Sequence, residues 1–247
     1  VVGADASEES GTRKDKDVSR VKLTTVEIVS DPGEGAQKCA QIFGSVSAKM
    51  GNGVWTVEII PAEIQPPPRL PAGASGNRIR LGSVPVTNWG DKSNVVVALN
   101  EQVLLARHRL DALEDDAIVL LEKMWKDHGD EDIREQWADA MEEISDKNYR
   151  LIEVPMEEEC LKIVDNPRRG KNMWVLGLLC YLYDRDLELA AEQIAETFRK
   201  KAQEITDRNV ALLQAGYDWA SKNLGFGFEV PPTGDDRPHV VMNGNEA

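Results

Sequence analysis

The sequence predicts an α/β fold, Rossmann-like and doubly wound, with a mainly parallel sheet and a helical C-terminal third. Three observations carry this. Short β-branched runs alternate with segments of helical periodicity as far as residue 156, a glycine turn joins the first strand to the first helix, and from residue 158 the pattern turns helical. The chain has 247 residues, 41% hydrophobic and 29% charged, a balance that supports an ordered core.

Residues 1–20 mix serine, glycine and both charges with little to bury, and read as a mobile leader. VKLTTVEIVS (21–30) is a buried strand, SDPGEG a turn, and Cys39, Ile42, Phe43, Val46 and Met50 recur at helical spacing. GNGVWTVEII is the next strand, so strand, turn, helix and strand form a βαβ unit and imply parallel pairing. PAEIQPPPRLPAGASG is a loop of sixteen residues, long enough to be functional.

NRIRLGSVPV and the wholly apolar SNVVVALN are strands, NEQVLLARHRL a short helix, and DAIVLLEKMW another strand. EDIREQWADAMEEISDK is amphipathic, with Ile133, Trp137, Ala140, Met141 and Ile144 on its inner stripe, and NYRLIEVPM is a strand. EECLKIVD and the apolar RRGKNMWVLGLLCYLYD are helical, and 187–225 supplies one long helix or two. GFGFEVPPTGDDRP reads as a linker and HVVMNGNEA as the opening of a further domain, so the chain is expected to be a fragment. The domain reading is therefore 1–20 leader, 21–230 α/β domain, and 231–247 linker with the start of the next domain.

Twenty-nine basic against 43 acidic residues give a net charge of −14, which argues against nucleic acid or anionic membrane as the main partner. Cys39, Cys160 and Cys180 are far apart, with no spacing for zinc or an iron–sulfur cluster, and the chain reads as cytoplasmic. No run of about 18 apolar residues is present to span a membrane. His108, His128 and His239 lack a partner at a telling spacing and read as surface residues, and Glu157–Glu159 read as a solvated helix start, so no catalytic or metal-ligating residue is assigned.

The turn Asp31-Pro32-Gly33-Glu34-Gly35 stands where a doubly wound fold offers backbone N–H groups to an anion. Lys38 occupies the third glycine of a dinucleotide fingerprint and Glu34 adds negative charge, so plain turn geometry competes with a ligand contact at Gly33 and Gly35. Arg168, Arg169 and Lys171 precede the apolar helix and could hold a phosphate or carboxylate, or simply neutralise acids. Arg69, Arg78 and Arg80 form a second basic group open to the same two readings.

The succession SDPGEGAQKCAQIFGSVSAKMGNGVWTVEIIPAEIQPPPRLPAGASGNRIRLGS, SNVVVALNEQ, GKNMWVLGLL and NVALLQAGYDWA resembles the gamma domain of the 2-oxoacid:ferredoxin oxidoreductases over about residues 21–230. The family commonly has Gly-x-Gly-Gly-Gln-Gly at the turn, where this chain has lost a glycine. After the Pro-rich linker, VVMNGNEA resembles the opening of the family's thiamine-diphosphate pyrimidine domain, an order like that of 2-oxoglutarate-type large subunits.

The resemblance implies part of an enzyme that decarboxylates a 2-oxoacid, 2-oxoglutarate being favoured, on thiamine diphosphate with Mg2+. It passes electrons through [4Fe-4S] clusters to ferredoxin and the acyl group to coenzyme A, reversibly, as in a reductive tricarboxylic acid cycle. The catalytic groups would lie outside this segment and in a beta subunit. The segment's own implied part is to cover the active site and shape a coenzyme A channel, with Gly33, Gly35, Arg78, Arg80, Arg168, Arg169 and Lys171 as contacts. The rival readings are a purely structural assembly module and an independent nucleotide-binding enzyme. Residues 111–160 hold 18 acids and 5 bases, so the acidity is local and leaves those basic groups free to meet an anion.

Overall fold

Eight strands and seven α-helices make up residues 16–61 and 66–235, the part of the chain that the computed structural model describes. In chain order they are β1 (Asp17–Arg20), β2 (Leu23–Ser30), α1 (Ala36–Lys49), β3 (Gly53–Ile59), β4 (Ser75–Gly82), β5 (Ser93–Ala98), α2 (Glu101–Arg109) and β6 (Leu113–Glu122). Then come α3 (Glu131–Glu143), β7 (Arg150–Val154), α4 (Met156–Cys160), α5 (Lys171–Leu182), α6 (Leu187–Phe198), α7 (Gln203–Asn223) and β8 (Phe226–Glu229).

The main sheet has the order β3-β4-β2-β5-β6-β7. The pairs β2–β5, β5–β6 and β6–β7 are parallel, as the apolar runs require of strands covered on both faces. One expectation is corrected here. β2 and β3 do run in the same direction on either side of α1, but β4 lies between them, antiparallel to both. The long connection after β3 lets the chain turn back and insert β4 where a simple βαβ unit would close.

Helices α1 and α5–α7 cover one face of the sheet, and α2 and α3 the other, each over its own apolar cluster. Helix α5 is apolar all round and almost wholly buried. It meets α7 backbone to backbone: a Cβ on Gly177 would stand 1.9 Å from the Leu213 carbonyl oxygen, and one on Gly216 1.9 Å from that of Trp174. The stripe read for α3 holds, with Trp137, Ala140 and Ile144 buried. The 187–225 segment forms two helices, α6 and α7.

The leader and linker readings are corrected at their inner ends. Residues 17–20, read as leader, form β1, which pairs in parallel with β8 in a separate two-stranded sheet. Residues 226–229, read as the start of the linker, are that β8. The remainder of the leader, residues 1–15, and residues 236–247, read as the end of the linker and the start of a next domain, lie outside the described residues.

Candidate functional site

Strands β2, β5 and β6 are parallel and end at the same edge of the sheet. From β2 the chain crosses to α1 on one face, and from β5 to α2 on the other, so a crevice opens between their carboxyl ends. The beginnings of both helices point into it. Helix α2 is capped by Asn100, whose Oδ1 accepts the Val103 N–H at 2.9 Å. Gly33 and Gly35 have φ of 87° and 85°, a region glycine enters without penalty, so the turn's backbone calls for both. Asn172 of α5 donates from Nδ2 to the Gly35 carbonyl at 3.4 Å.

The crevice is filled from within. Arg69, on the long loop, donates its backbone N–H to both carboxylate oxygens of Asp31 at 3.0 Å. Its guanidinium forks onto Glu101, with Nη1 3.0 Å from Oε2 and Nη2 on Oε1, and Nη2 also donates to Gln136 Oε1 at 3.1 Å. The same group lies 4.4 Å over the Trp125 ring. Glu101 is fully buried, so a cation is needed beside it, and the loop supplies one where a nucleotide phosphate would sit in a binding Rossmann crevice.

A second buried cation closes the other side. Lys171 Nζ, 1% exposed, stands 3.3 Å from Glu34 and 3.4 Å from Glu157. Burial works to lower the lysine's pKa, but Glu34, Glu122 and Glu157 together hold it above its usual value. Burial also raises the pKa of Glu34 against the pull of Lys171. Glu122, at the end of β6, accepts the N–H groups of Met124 and Glu157 at 3.1 and 2.8 Å. Burial nevertheless pushes its carboxyl up to about 7.

Arg78 is likewise committed. It faces Glu27 directly across the β2–β4 register, with Nε 2.7 Å from Oε1, while Arg107 of α2 holds Glu27 Oε2 at 2.8 Å. Arg78 also donates to the carbonyls of Gly90, Asp91 and Ala112. Arg80 is half-buried and donates to Asn88 Oδ1. Arg168 and Arg169, in a 3-10 turn capped by Asn166, are exposed and make no ion pair with a described residue.

The sequence-predicted basic residues therefore do not converge. Arg80 sits opposite Thr25, near the amino end of β2, whereas Lys171 meets Glu34 of the turn beyond its carboxyl end, and Arg168 and Arg169 precede Lys171 in the chain. Five residue steps along the strand, about 17 Å, lead from Thr25 to Ser30. Arg69 and Glu101 were missed as a pair by sequence reasoning. A lone glutamate directly after an apolar strand, at the first position of a helix, is the signal that a buried cation must meet it.

Among the described residues, no group of three or more His, Cys, Asp or Glu side chains is placed to hold a metal ion. The three cysteines are buried, and burial pushes the thiols of Cys160 and Cys180 up to about 12. His108 Nδ1 and the Tyr149 hydroxyl are 3.0 Å apart, His128 stacks on Trp125, and His239 lies outside the described residues. No helix among the described residues is long and apolar enough to cross a membrane.

A family model described as pyruvate ferredoxin/flavodoxin oxidoreductase matches residues 26–219. The 2-oxoglutarate oxidoreductase subunit KorA of Mycobacterium tuberculosis is 29% identical over 231 residues, covering 87% of this chain and 34% of KorA. The chain thus spans about a third of the length of that curated relative. The 2-oxoglutarate:ferredoxin oxidoreductase of Magnetococcus marinus, solved with 2-oxoglutarate, coenzyme A and succinyl-CoA bound, matches with a TM-score of 0.67 at 21% identity. That match covers 87% of this chain and 34% of the solved one. The pyruvate oxidoreductase subunit PORC of Thermotoga maritima matches with a TM-score of 0.55 at 19% identity, over 80% of this chain and 97% of its own. The gamma subunit of a keto/oxoacid ferredoxin oxidoreductase from Geobacter sulfurreducens gives 0.55 at 12%, over 80% and 98%. At these identities the solved structures establish a shared fold.

Proposed function

The chain belongs to the pyruvate ferredoxin/flavodoxin oxidoreductase family, and on that premise we propose that it is the gamma-type domain of a 2-oxoglutarate:ferredoxin oxidoreductase. The observation that carries this is the family match across residues 26–219, joined to 29% identity with a 2-oxoglutarate oxidoreductase subunit. The near-complete coverage of two solved subunit chains of this fold, one of them a gamma subunit, supports the gamma-type reading.

In this reading the chain covers the active site of a larger assembly and contacts coenzyme A, whose thiol accepts the acyl group. Thiamine diphosphate with Mg2+, the [4Fe-4S] clusters and the ferredoxin contact belong to other parts of that assembly, including a beta subunit. The assembly works in the cytoplasm.

Arg168 and Arg169 are the favoured contacts for the coenzyme's phosphates, because they are exposed, adjacent and without an acidic partner among the described residues. Arg80 is a separate candidate at the opposite end of the sheet. Arg78 and Lys171 support the domain from inside, and Gly33 and Gly35 shape the turn that Lys171 and Asn172 hold against α5. An independent nucleotide enzyme is disfavoured, because Arg69 occupies the crevice where a nucleotide phosphate would bind.

Charge reversal of Arg168 and Arg169 in the reconstituted enzyme tests the reading. The Michaelis constant for coenzyme A should rise at least about tenfold with little change for the 2-oxoacid. An unchanged constant, with assembly intact, removes these residues from the coenzyme site and favours a purely structural module.

A further inference from the structure

An apolar groove on the opposite face of the sheet is used by neither the crevice nor the basic pair. It has a volume of about 410 Å3 and runs between α3 and β7, with Trp137, Met141, Ile144 and Leu151 among its walls. Among the described residues, strand β7 is the last of the main sheet and pairs with β6 alone. The Val154 carbonyl accepts from Lys123 N–H at 3.0 Å on the paired side, so by strand alternation Leu151 and Glu153 turn their peptide groups to the open side, where the Leu151 N–H donates to the Tyr149 carbonyl at 3.0 Å. Leu151 is 37% exposed, and its neighbours Ile152 and Val154 face the other core, which leaves its side chain to the groove.

The charges around the groove are mainly acidic, the exception on α3 being Arg134, whose Nη1 donates to the His128 and Gly129 carbonyls at 2.7 and 3.1 Å. Lys126 and Lys147 line it, but each is neutralised, by Glu153 at 2.8 Å and Asp115 at 2.9 Å. Glu135 and Glu142 stand at i−3 and i+4 from Ala138, another wall residue, and Glu131 lies one turn further along. All three acids are exposed and make no ion pair with a described residue.

From this we propose that β7 and the groove form a docking site for an extended, cationic segment of a partner protein. The segment adds as a strand to β7, seats an apolar side chain against Leu151 and Trp137, and sets its lysines or arginines along Glu131, Glu135 and Glu142. A second copy of this chain fits less well, because symmetric β7–β7 pairing would bring two acidic α3 rims together.

The test uses the full chain and two labelled probes of equal charge, acetyl-Lys-Val-Lys-Leu-Lys-Val-Lys-amide and its Lys-Gly counterpart. The apolar-bearing peptide should bind at least about tenfold more tightly than the Lys-Gly peptide. Leu151→Glu should weaken it about tenfold although it adds negative charge. Glu135→Gln with Glu142→Gln, at exposed positions that leave the fold intact, should weaken binding about threefold and flatten its salt dependence. Equal binding of both peptides, or tighter binding to Leu151→Glu, would mean diffuse charge attraction and overturn the proposal. Sedimentation showing a dimer that Leu151→Glu dissolves would give the groove to a second copy and overturn it as well.

Discussion

Replacing Gly177 with alanine tests the packing on which the helical layer depends. The new methyl would stand 1.9 Å from the Leu213 carbonyl oxygen and 2.8 Å from the Tyr217 nitrogen. A relaxed carbon–oxygen contact is about 3.3 Å, so α5 and α7 must separate by roughly 1.4 Å. The obstacle is backbone, which cannot swing aside as a side-chain tip does. The cost therefore belongs at the upper end of overpacking, about 3 kcal/mol, and the gain in helix propensity from glycine to alanine offsets about 1 kcal/mol of it. A net loss of about 2 kcal/mol should lower the melting temperature by roughly 4–8 °C in a domain of this size.

Urea denaturation followed by circular dichroism measures the loss directly. Gly225→Ala is the control, because nothing lies within 4 Å of a Cβ there. Gly216→Ala should resemble Gly177→Ala, and the double variant should cost less than the two together, since one separation relieves both clashes. Wild-type stability for Gly177→Ala, or strict additivity of the pair, would refute the close crossing.

Glu27→Ala leaves Arg78 and Arg107 buried without their shared carboxylate and should cost about 3–5 kcal/mol by denaturant titration. Glu143→Ala, on an exposed pair with Arg109, should change stability little. Glu122 binds its proton more tightly in the folded chain, up to about 7, than the ordinary carboxyl value of 4.5. The unfolded chain therefore releases that proton first as pH rises, and stability should fall between pH 4.5 and 7, by about 3 kcal/mol at most, then level off. Denaturation across this range should lose that slope in Glu122→Gln. Gly35→Ala meets a left-handed backbone, costing about 1–2 kcal/mol, and a methyl 2.4 Å from Asn172 Nδ2. An Asn172→Ala background should recover only the steric part.

Strands β2 and β5 of the parallel core were legible because each is rich in β-branched residues, and α3 because its inner stripe recurs every three to four residues. The place of β4 was not, since alternation in NRIRLG shows a strand but not which neighbours it takes. Strand β1, with all four residues exposed, carries no apolar signal, and its partner β8 lies some two hundred residues away. The basic residues were visible, but their fates were not. Arg78 and Lys171 look from the sequence like Arg168 and Arg169, yet two point inward to glutamates and two outward. A charge flanked by apolar strand residues, as Glu27 is within TTVEIVS, is the sequence sign of an internal partner.

The small β1–β8 sheet gives the domain a mechanical property. Because the two strands are parallel, residue 17 lies beside residue 226 at one end and residue 20 beside residue 229 at the other. Tension applied through residues 16 and 230 would drag the strands lengthwise past each other and load the whole ladder in shear, so its bonds share the force instead of opening singly. In a force-extension experiment this clamp should yield at higher force than the same domain pulled from positions that peel β8 away.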